Sequence, residues 1–272
     1  VCHGEGKLGI KDTDTGIAVN CFKLCSRAEI LAEIERLGLR GDEPSKPKQP
    51  EKAAQRRPAE ETMERKRVAE AMDFWSQSRP WNTTRQIESY LRSRSIVIRM
   101  PSTIRWHGMT RHPEGGSRPV MVGLVEHVER GAIGASRTFI AIDGSSKATF
   151  RAPRMFVGLV AGGAVRLGSP QPGIELVVGE GIESTLSYMQ LHDLPGWAAL
   201  SANGIKTLVL PREARRVVIA ADNDENGVGW KAALAAARRW TFDGRQVRID
   251  MPPRPGTDWN DILLSGGLGH AA

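Results

Sequence analysis

The chain has 272 residues, 40% of them hydrophobic and 25% charged, ordinary figures for a globular protein built as one large domain or two to three small ones. Its 38 Lys and Arg against 31 Asp and Glu leave a formal charge of +7, a surplus that favours a polyanionic partner, of which nucleic acid is the commonest. Nothing approaches the run of about 20 apolar residues that spans a bilayer, so the expectation is a cytoplasmic protein with no membrane partner. Only three cysteines occur, all near the N-terminus, and an odd number in one corner argues against a disulfide framework and towards metal.

Taken in order, residues 1–40 read as a small module. Leu8–Ile10 and Ile17–Val19 pair as a hairpin around Asp12–Gly16, and a helix follows from Arg27 to Leu37. His3, Cys21 and Cys25 have zinc-ribbon character, with a Cys-x-x-x-Cys spacing at a turn. The alternative is buried free cysteines packed as small apolar groups. Residues 41–62 carry four prolines, dense charge and no large apolar side chain, so they cannot supply a core and read as a linker.

A helical pattern begins near Met63, with Val68, Ala71, Met72 and Trp75 at helix spacing. Up to about Ser169 the chain is rich in short β-prone runs, Val120–Val128, Thr138–Ile142 and Met155–Val160, punctuated by Gly and Pro. That makes residues 63–170 a mixed α+β body. Many arginines fall here, including Arg92, Arg94, Arg99, Arg105, Arg111, Arg137, Arg151, Arg154 and Arg166, with Trp75, Trp81 and Trp106 interleaved. Arginine forks bind phosphates and aromatics give stacking platforms to single strands. For any single residue, a solvated basic face over core tryptophans is the better explanation.

Residues 171–272 change rhythm. Ile174–Val178 reads as a buried strand, followed by a helix with Ile182, Leu186 and Met189 on one face. Val217–Ala221 is a second strand, a helix runs through Trp230–Trp240, and Gln246–Ile249 closes the pattern. Alternating strands and helices imply a mostly parallel sheet flanked by helices.

Two acidic loops follow two of these strands. Glu180 stands in Val-Val-Gly-Glu-Gly-Ile-Glu-Ser, and Asp222 and Asp224 stand in Ala-Ala-Asp-Asn-Asp-Glu-Asn-Gly. In an open parallel sheet ligands collect beyond the carboxyl ends of the strands, so both loops face one crevice. Three converging carboxylates need a cation. Magnesium fits, because it takes hard oxygen ligands and keeps waters for phosphate oxygens to replace. An EF-hand fails, because Ala233 stands where its bidentate Glu belongs. A dinucleotide fingerprint fails, because Ser184 replaces its third glycine. The plain structural reading is that Asp222–Asn226 makes a turn and caps the next helix.

These residues resemble the Toprim domain shared by bacterial-type primases, topoisomerases and some nucleases. Glu180-Gly-Ile-Glu-Ser-Thr-Leu-Ser187 is similar to a stretch of plasmid and phage primases, and Asp258-Trp-Asn-Asp261 resembles the element that ends their Toprim domain. The resemblance implies Glu180, Asp222 and Asp224 as catalytic magnesium or manganese ligands, with Asp258 and Asp261 as weaker candidates. It implies a zinc module of Cys2, His3, Cys21 and Cys25, although the family spaces its first pair Cys-x-x-His and Cys2 and His3 are adjacent here. Arg137-Thr-Phe-Ile-Ala-Ile-Asp143-Gly and Gly162-Gly-Ala-Val-Arg166-Leu resemble the domain that precedes Toprim. This implies that Arg137, Lys147 and Arg166 touch phosphates across the cleft. The expected fold is an α/β Toprim domain preceded by an α+β primase subdomain and a tethered zinc ribbon. The expected function is DNA primase, a nucleotidyltransferase of phage- or plasmid-type replication that uses a single-stranded DNA template and ribonucleoside triphosphates. No Gly-x-x-x-x-Gly-Lys-[Ser/Thr] occurs, so a helicase would be a separate partner or a further region. The rival readings are a Toprim nuclease and a non-catalytic module that binds single-stranded DNA.

Overall fold

The structure, a computed structural model, describes residues 8–13, 16–21, 27–36 and 50–266. It divides after Met63 into two compact units. The first holds an antiparallel hairpin of β1 (Leu8–Thr13) and β2 (Gly16–Cys21), with Leu8 opposite Cys21 and Thr13 opposite Gly16. Helix α1 (Arg27–Arg36) follows, with an exposed Arg36–Glu33 ion pair one turn apart. This is the hairpin and helix that the sequence suggests. Cys2, His3 and Cys25 lie outside the described residues, so zinc ligation stays a proposal.

Helix α2 (Pro50–Gln77) spans the division. It starts well before Met63, inside the segment whose composition reads as a linker. Proline suits a first helical turn, where its missing N–H has no partner to lose. The Glu, Lys, Ala, Gln and Arg that follow are good helix formers. Lack of a core therefore did not mean lack of structure.

The second unit is built on one ten-stranded sheet. Its strands are β3 (Arg79–Pro80), β4 (Ile104–Arg111), β5 (Ser117–His127), β6 (Gly131–Phe139), β7 (Arg154–Gly158), β8 (Ala164–Arg166), β9 (Leu176–Gly179), β10 (Gly196–Ala198), β11 (Arg216–Ala220) and β12 (Gln246–Asp250). The order is β12-β11-β9-β10-β8-β5-β4-β3, with β6 between β5 and β7. The four strands β12, β11, β9 and β10 are parallel; all the remaining pairings are antiparallel. Strand β5 joins the halves. One edge carries β6, and the other carries β4 and then β8, with Ile104 opposite Gly123 and Val125 opposite Val165. A continuous ladder of backbone hydrogen bonds thus holds the antiparallel half in register with the parallel half.

Five helices pack on this sheet: α3 (Arg85–Ser93), α4 (Ile182–His192), α5 (Ala202–Thr207), α6 (Val228–Phe242) and α7 (Trp259–Leu264). Alternation along the strands decides the layers. Val178 and Ile219 share a core with Ile205 of α5 and Ala233, Ala236 and Trp240 of α6. Val177 and Val218 face the other way, onto Tyr188 of α4 and Trp259 and Ile262 of α7. Ile182, Leu186 and Met189 of α4 join Ile87, Tyr90 and Leu91 of α3 in a further core. The sequence suggests one buried face for α4, but Ile182 through Met189 are all buried. Helices α3 and α7 cover the sides that periodicity assigns to solvent. Among the described residues no helix is long and apolar enough to cross a membrane.

Candidate metal and phosphate cleft

The pairing of the parallel strands brings the two acidic loops together. Gly179, the last residue of β9, is opposite Ala220, the last of β11, and also opposite Ala198 of β10. The chains leaving β9 and β11 therefore emerge side by side, with Glu180 on one and Asp222 on the other. Glu180 is fixed at its backbone by the Leu200 N–H, which donates to its carbonyl at 2.7 Å. A Cβ on Gly179 would collide with Thr185 Oγ1, whose hydroxyl donates to the Gly181 carbonyl at 2.6 Å. Small size, not backbone freedom, is what Gly179 supplies. The Asp222 loop is pinned to the segment between β12 and α7 by the Asn223 N–H, which donates to the Thr257 carbonyl at 3.1 Å, and by Asn223 Nδ2, which donates to the Pro252 carbonyl at 2.8 Å. Gly227 then turns the chain in the left-handed region at φ 64° into α6.

Glu180, Asp222 and Asp258 line a cleft of about 410 Å³, together with Glu183, Ser184, Arg94, Lys147 and Arg154. Asp224 is close enough to raise the pKa of both Glu180 and Asp222. Its carboxylate is turned towards α6, so that a Cβ on Gly229 would meet Oδ2 at 3.2 Å. Among the described residues no three His, Cys, Asp or Glu side chains are gathered closely enough to hold one ion.

The electrostatics show the strain of this gathering. Burial, followed by repulsion from Asp258, Glu180 and Asp224, pushes Asp222 up to about 7, against the Ser184 hydroxyl that donates to its Oδ1 at 2.9 Å. Burial also raises Glu180, with repulsion from Asp224, while Arg154 and the Ala202 N–H pull it down. Asp258 is raised by burial even though it caps α7, its Oδ1 accepting the N–H groups of Asn260 and Asp261 at 2.8 and 3.0 Å. Asp261 returns the bond to the Asp258 N–H, completing a capping box. Both weaker candidates thus carry a helix end, and only Asp258 also lines the cleft.

The three proposed phosphate contacts separate. Lys147 lines the cleft, its Nζ 3.4 Å from Glu183 Oε1. Arg137 does not. Arg105, Val122, Arg137 and Met155 form one cross-strand row, and Trp106, Met121, Thr138 and Arg154 form the next. Adjacent rows point to opposite faces of a sheet. Arg154 therefore reaches the cleft, whereas Arg137 lies against Phe74 of α2, its guanidinium 5.5 Å from the ring centre. Arg166 also points away, over Trp197 at 4.8 Å on the face that carries α5 and α6. Strand register thus turns Arg137 and Arg166 away from this cleft, and contact of either with a phosphate stays a proposal.

Four residues outside the candidate site set complete the cleft. Ser184 takes up Asp222. Arg154 and Arg94 supply cationic walls. Glu183 is buried at 4% exposure and accepts the Tyr90 hydroxyl at 2.6 Å. Behind them Asn260, 1% exposed, donates to the Arg94 carbonyl and Ser187 Oγ and accepts from Arg94 Nη1, which ties α7 to α3 and α4. The signal for Ser184 and Glu183 was their spacing from Glu180 on the first turn of α4. For Arg154 only the strand register could choose.

Comparison with known families matches residues 175–269 to the Toprim domain. Residues 65–167 match a domain of unknown function (DUF7146). Among solved structures, a DnaG primase catalytic domain bound to single-stranded DNA aligns at a TM-score of 0.50 and 17% identity, over 76% of this chain and 79% of that one. The Aquifex aeolicus primase, comprising zinc-binding and RNA polymerase domains, aligns at 0.48 and 16%, over 69% of this chain and 54% of that one. The primase fragment of the bacteriophage T7 primase-helicase aligns at 0.43 and 16%, over 66% and 65%. No curated protein matches. At these identities the likeness is one of fold: a Toprim domain in a structure similar to the DnaG-type primase catalytic core.

Proposed function

We propose that the chain is a DNA primase that joins ribonucleotides on a single-stranded DNA template in phage- or plasmid-type replication. The observation that carries this reading is the cleft itself. Acids at the ends of two paired parallel strands face Lys147 and Arg154, which the antiparallel half delivers through the continuous sheet. The fold likeness to a DnaG catalytic domain whose structure holds single-stranded DNA supports the same conclusion.

The donor set fits magnesium or manganese. Glu180, Asp222 and Asp224 offer hard oxygen donors, and the repulsion that Asp224 exerts on the half-buried Glu180 and Asp222 is what a divalent cation would relieve. No preformed cage is needed, because magnesium is usually held by one or two carboxylates and by substrate phosphates. When bound, the ion would neutralise these acids and stabilise charge on the transferring phosphoryl group. The chain's own residues do the rest. Lys147 and Arg154 bind the anionic triphosphate from the opposite wall, Arg154 as a planar fork and Lys147 as a compact point charge. Ser184 holds the Asp222 carboxylate in place, and the Leu200 N–H holds the turn that carries Glu180. Zinc held by Cys2, His3, Cys21 and Cys25 would give the N-terminal module a site for the template, and a replicative helicase would be a partner.

The test incubates the protein with single-stranded DNA, labelled ribonucleotides and magnesium, beside Asp222→Asn and Asp224→Asn. Metal-dependent primers from the parent chain alone are the expected result. Absence of primers across metals and templates would sink the reading. Template cleavage would assign a nuclease, and magnesium-independent DNA binding indifferent to both variants would assign a binding module.

A further inference from the structure

Glu183 is unexplained by the metal-site reading. It lies in the first turn of α4, 4% exposed, where a buried charge costs free energy unless it is paired and hydrogen-bonded. Its neighbours Ile182 and Leu186 show that an apolar side chain suits this helix. Yet Glu183 Oε1 accepts the Tyr90 hydroxyl at 2.6 Å and lies 3.4 Å from Lys147 Nζ. Burial works against its ionisation, but Lys147, the Tyr90 hydroxyl and Arg154 together hold its pKa below the usual carboxylate range.

The loop that carries Lys147 is built as firmly. Lys147 bridges to Ile140 across a turn. Asp143 Oδ1 accepts the Ser145 N–H at 3.0 Å and its hydroxyl at 2.8 Å. Gly144, at φ 76°, lies so close to α3 that a Cβ would collide with the Gln86 carbonyl. The same helix α3 carries Tyr90. Backbone and side chain therefore converge from two elements on one ammonium at the cleft wall.

We propose that Glu183 is a positioning residue: anchored by Tyr90, it holds the Lys147 ammonium at a fixed point of the cleft, ready for the phosphates of an incoming nucleoside triphosphate. This rests on the nucleotidyl-transfer reading above. Glu183 does not touch substrate; it removes the freedom of a long flexible side chain before substrate arrives. Its charge is the essential property, because a neutral amide of the same shape keeps the Tyr90 contact but no longer fixes the ammonium.

The experiment combines kinetics with a readout independent of activity. Glu183→Gln, Tyr90→Phe, Lys147→Ala and Glu183→Gln/Lys147→Ala are compared for primer synthesis, and Lys147 acylation by an amine-reactive reagent is followed by mass spectrometry on the full chain. Glu183→Gln is expected to lower kcat about tenfold, within the range that small misplacements of catalytic groups cost. KM for the triphosphate should be unchanged or lower, because a carboxylate leaves the phosphate site. Tyr90→Phe should give a smaller loss of the same kind. The double variant should be no worse than Lys147→Ala, since effects that run through one residue do not add. Lys147 acylation should rise several-fold in Glu183→Gln while circular dichroism stays that of the parent. Unchanged acylation overturns the proposal, whether or not the chain makes primers. Independent, multiplying losses in the double variant overturn it too. If acylation rises as expected but the parent chain makes no primers, binding of magnesium ATP is compared across the same four variants. There, a binding loss in Lys147→Ala to which Glu183→Gln adds nothing in the double variant keeps the Glu183–Lys147 device although the primase reading fails, and a further loss in the double variant overturns it.

Discussion

Replacing Ser184 by alanine isolates one contact at the centre of the site. Its hydroxyl donates to Asp222 Oδ1 at 2.9 Å, in a site where burial and three neighbouring carboxylates have already pushed Asp222 up to about 7. A hydrogen bond to a charged group contributes about 1.5–3 kcal/mol, and one pKa unit corresponds to about 1.4 kcal/mol. Losing the bond therefore raises Asp222 by at least about one unit, since the bond favours only the ionised form. At pH 7 the ionised fraction falls from about a half to about a tenth, and activity limited by that carboxylate falls about fivefold. At pH 9 both proteins are ionised and the difference closes. Bound magnesium lowers both midpoints, so the assay is primer synthesis at limiting magnesium from pH 6 to pH 9. A parallel melting curve serves as control, because Ser184 Oγ also accepts the Trp259 N–H at 3.4 Å. A loss by the same factor at every pH would show that Ser184 matters for packing and not for the ionisation of Asp222, and would refute the reasoning.

Three further outcomes follow from the same geometry. Asp222→Asn should abolish metal-dependent synthesis yet stabilise the chain in chelator at pH 8 by on the order of 2 kcal/mol. The folded carboxylate titrates above its unfolded value, so the folded state binds the extra proton and loses relative stability as pH rises from about 4 to about 7; below pH 4 denaturant melts of the two proteins should coincide. Arg154→Ala should raise the triphosphate KM about tenfold or more, the effect of losing a charge-assisted contact of about 1.5–3 kcal/mol. Arg137→Ala should leave KM unchanged and lower only stability, and equal KM effects would show that the strand register does not sort the arginines. Gly229→Ala puts a methyl 2.8 Å from the Asp222 carbonyl, so it should cost about 1–3 kcal/mol in urea melts and reduce synthesis by displacing the Asp222 loop.

How legible the site was depended on how local its determinants are. The hairpin of the first unit, the strands near Ile174 and Val217, the helix through Trp230 and the loop positions of Glu180, Asp222 and Asp224 could all be read from the chain. Periodicity, turn residues and spacing are properties of short segments. Helix α2 was legible in type but not in extent, because a stretch rich in Glu, Lys and Arg has no apolar stripe to mark where a helix starts. Strand β10 and helix α5 escaped because three and six residues are too short for a period to show. That Arg137 and Arg166 lie off the cleft was not legible for one reason. Composition says that a segment is basic, but strand side chains alternate faces, and which face meets the cleft depends on register with distant strands.

The sequence by itself therefore determined which carboxylates sit beyond strand ends, since that needs only a strand followed by a loop. The tertiary structure decided the rest. It placed Gly179 opposite Ala220, which makes two acidic loops into one site. It chose Arg154 over Arg137, and it buried Glu183 between Tyr90 and Lys147, residues far apart in the chain. Local chemistry can be written in neighbouring residues, whereas a cleft is made of contacts whose partners only folding selects.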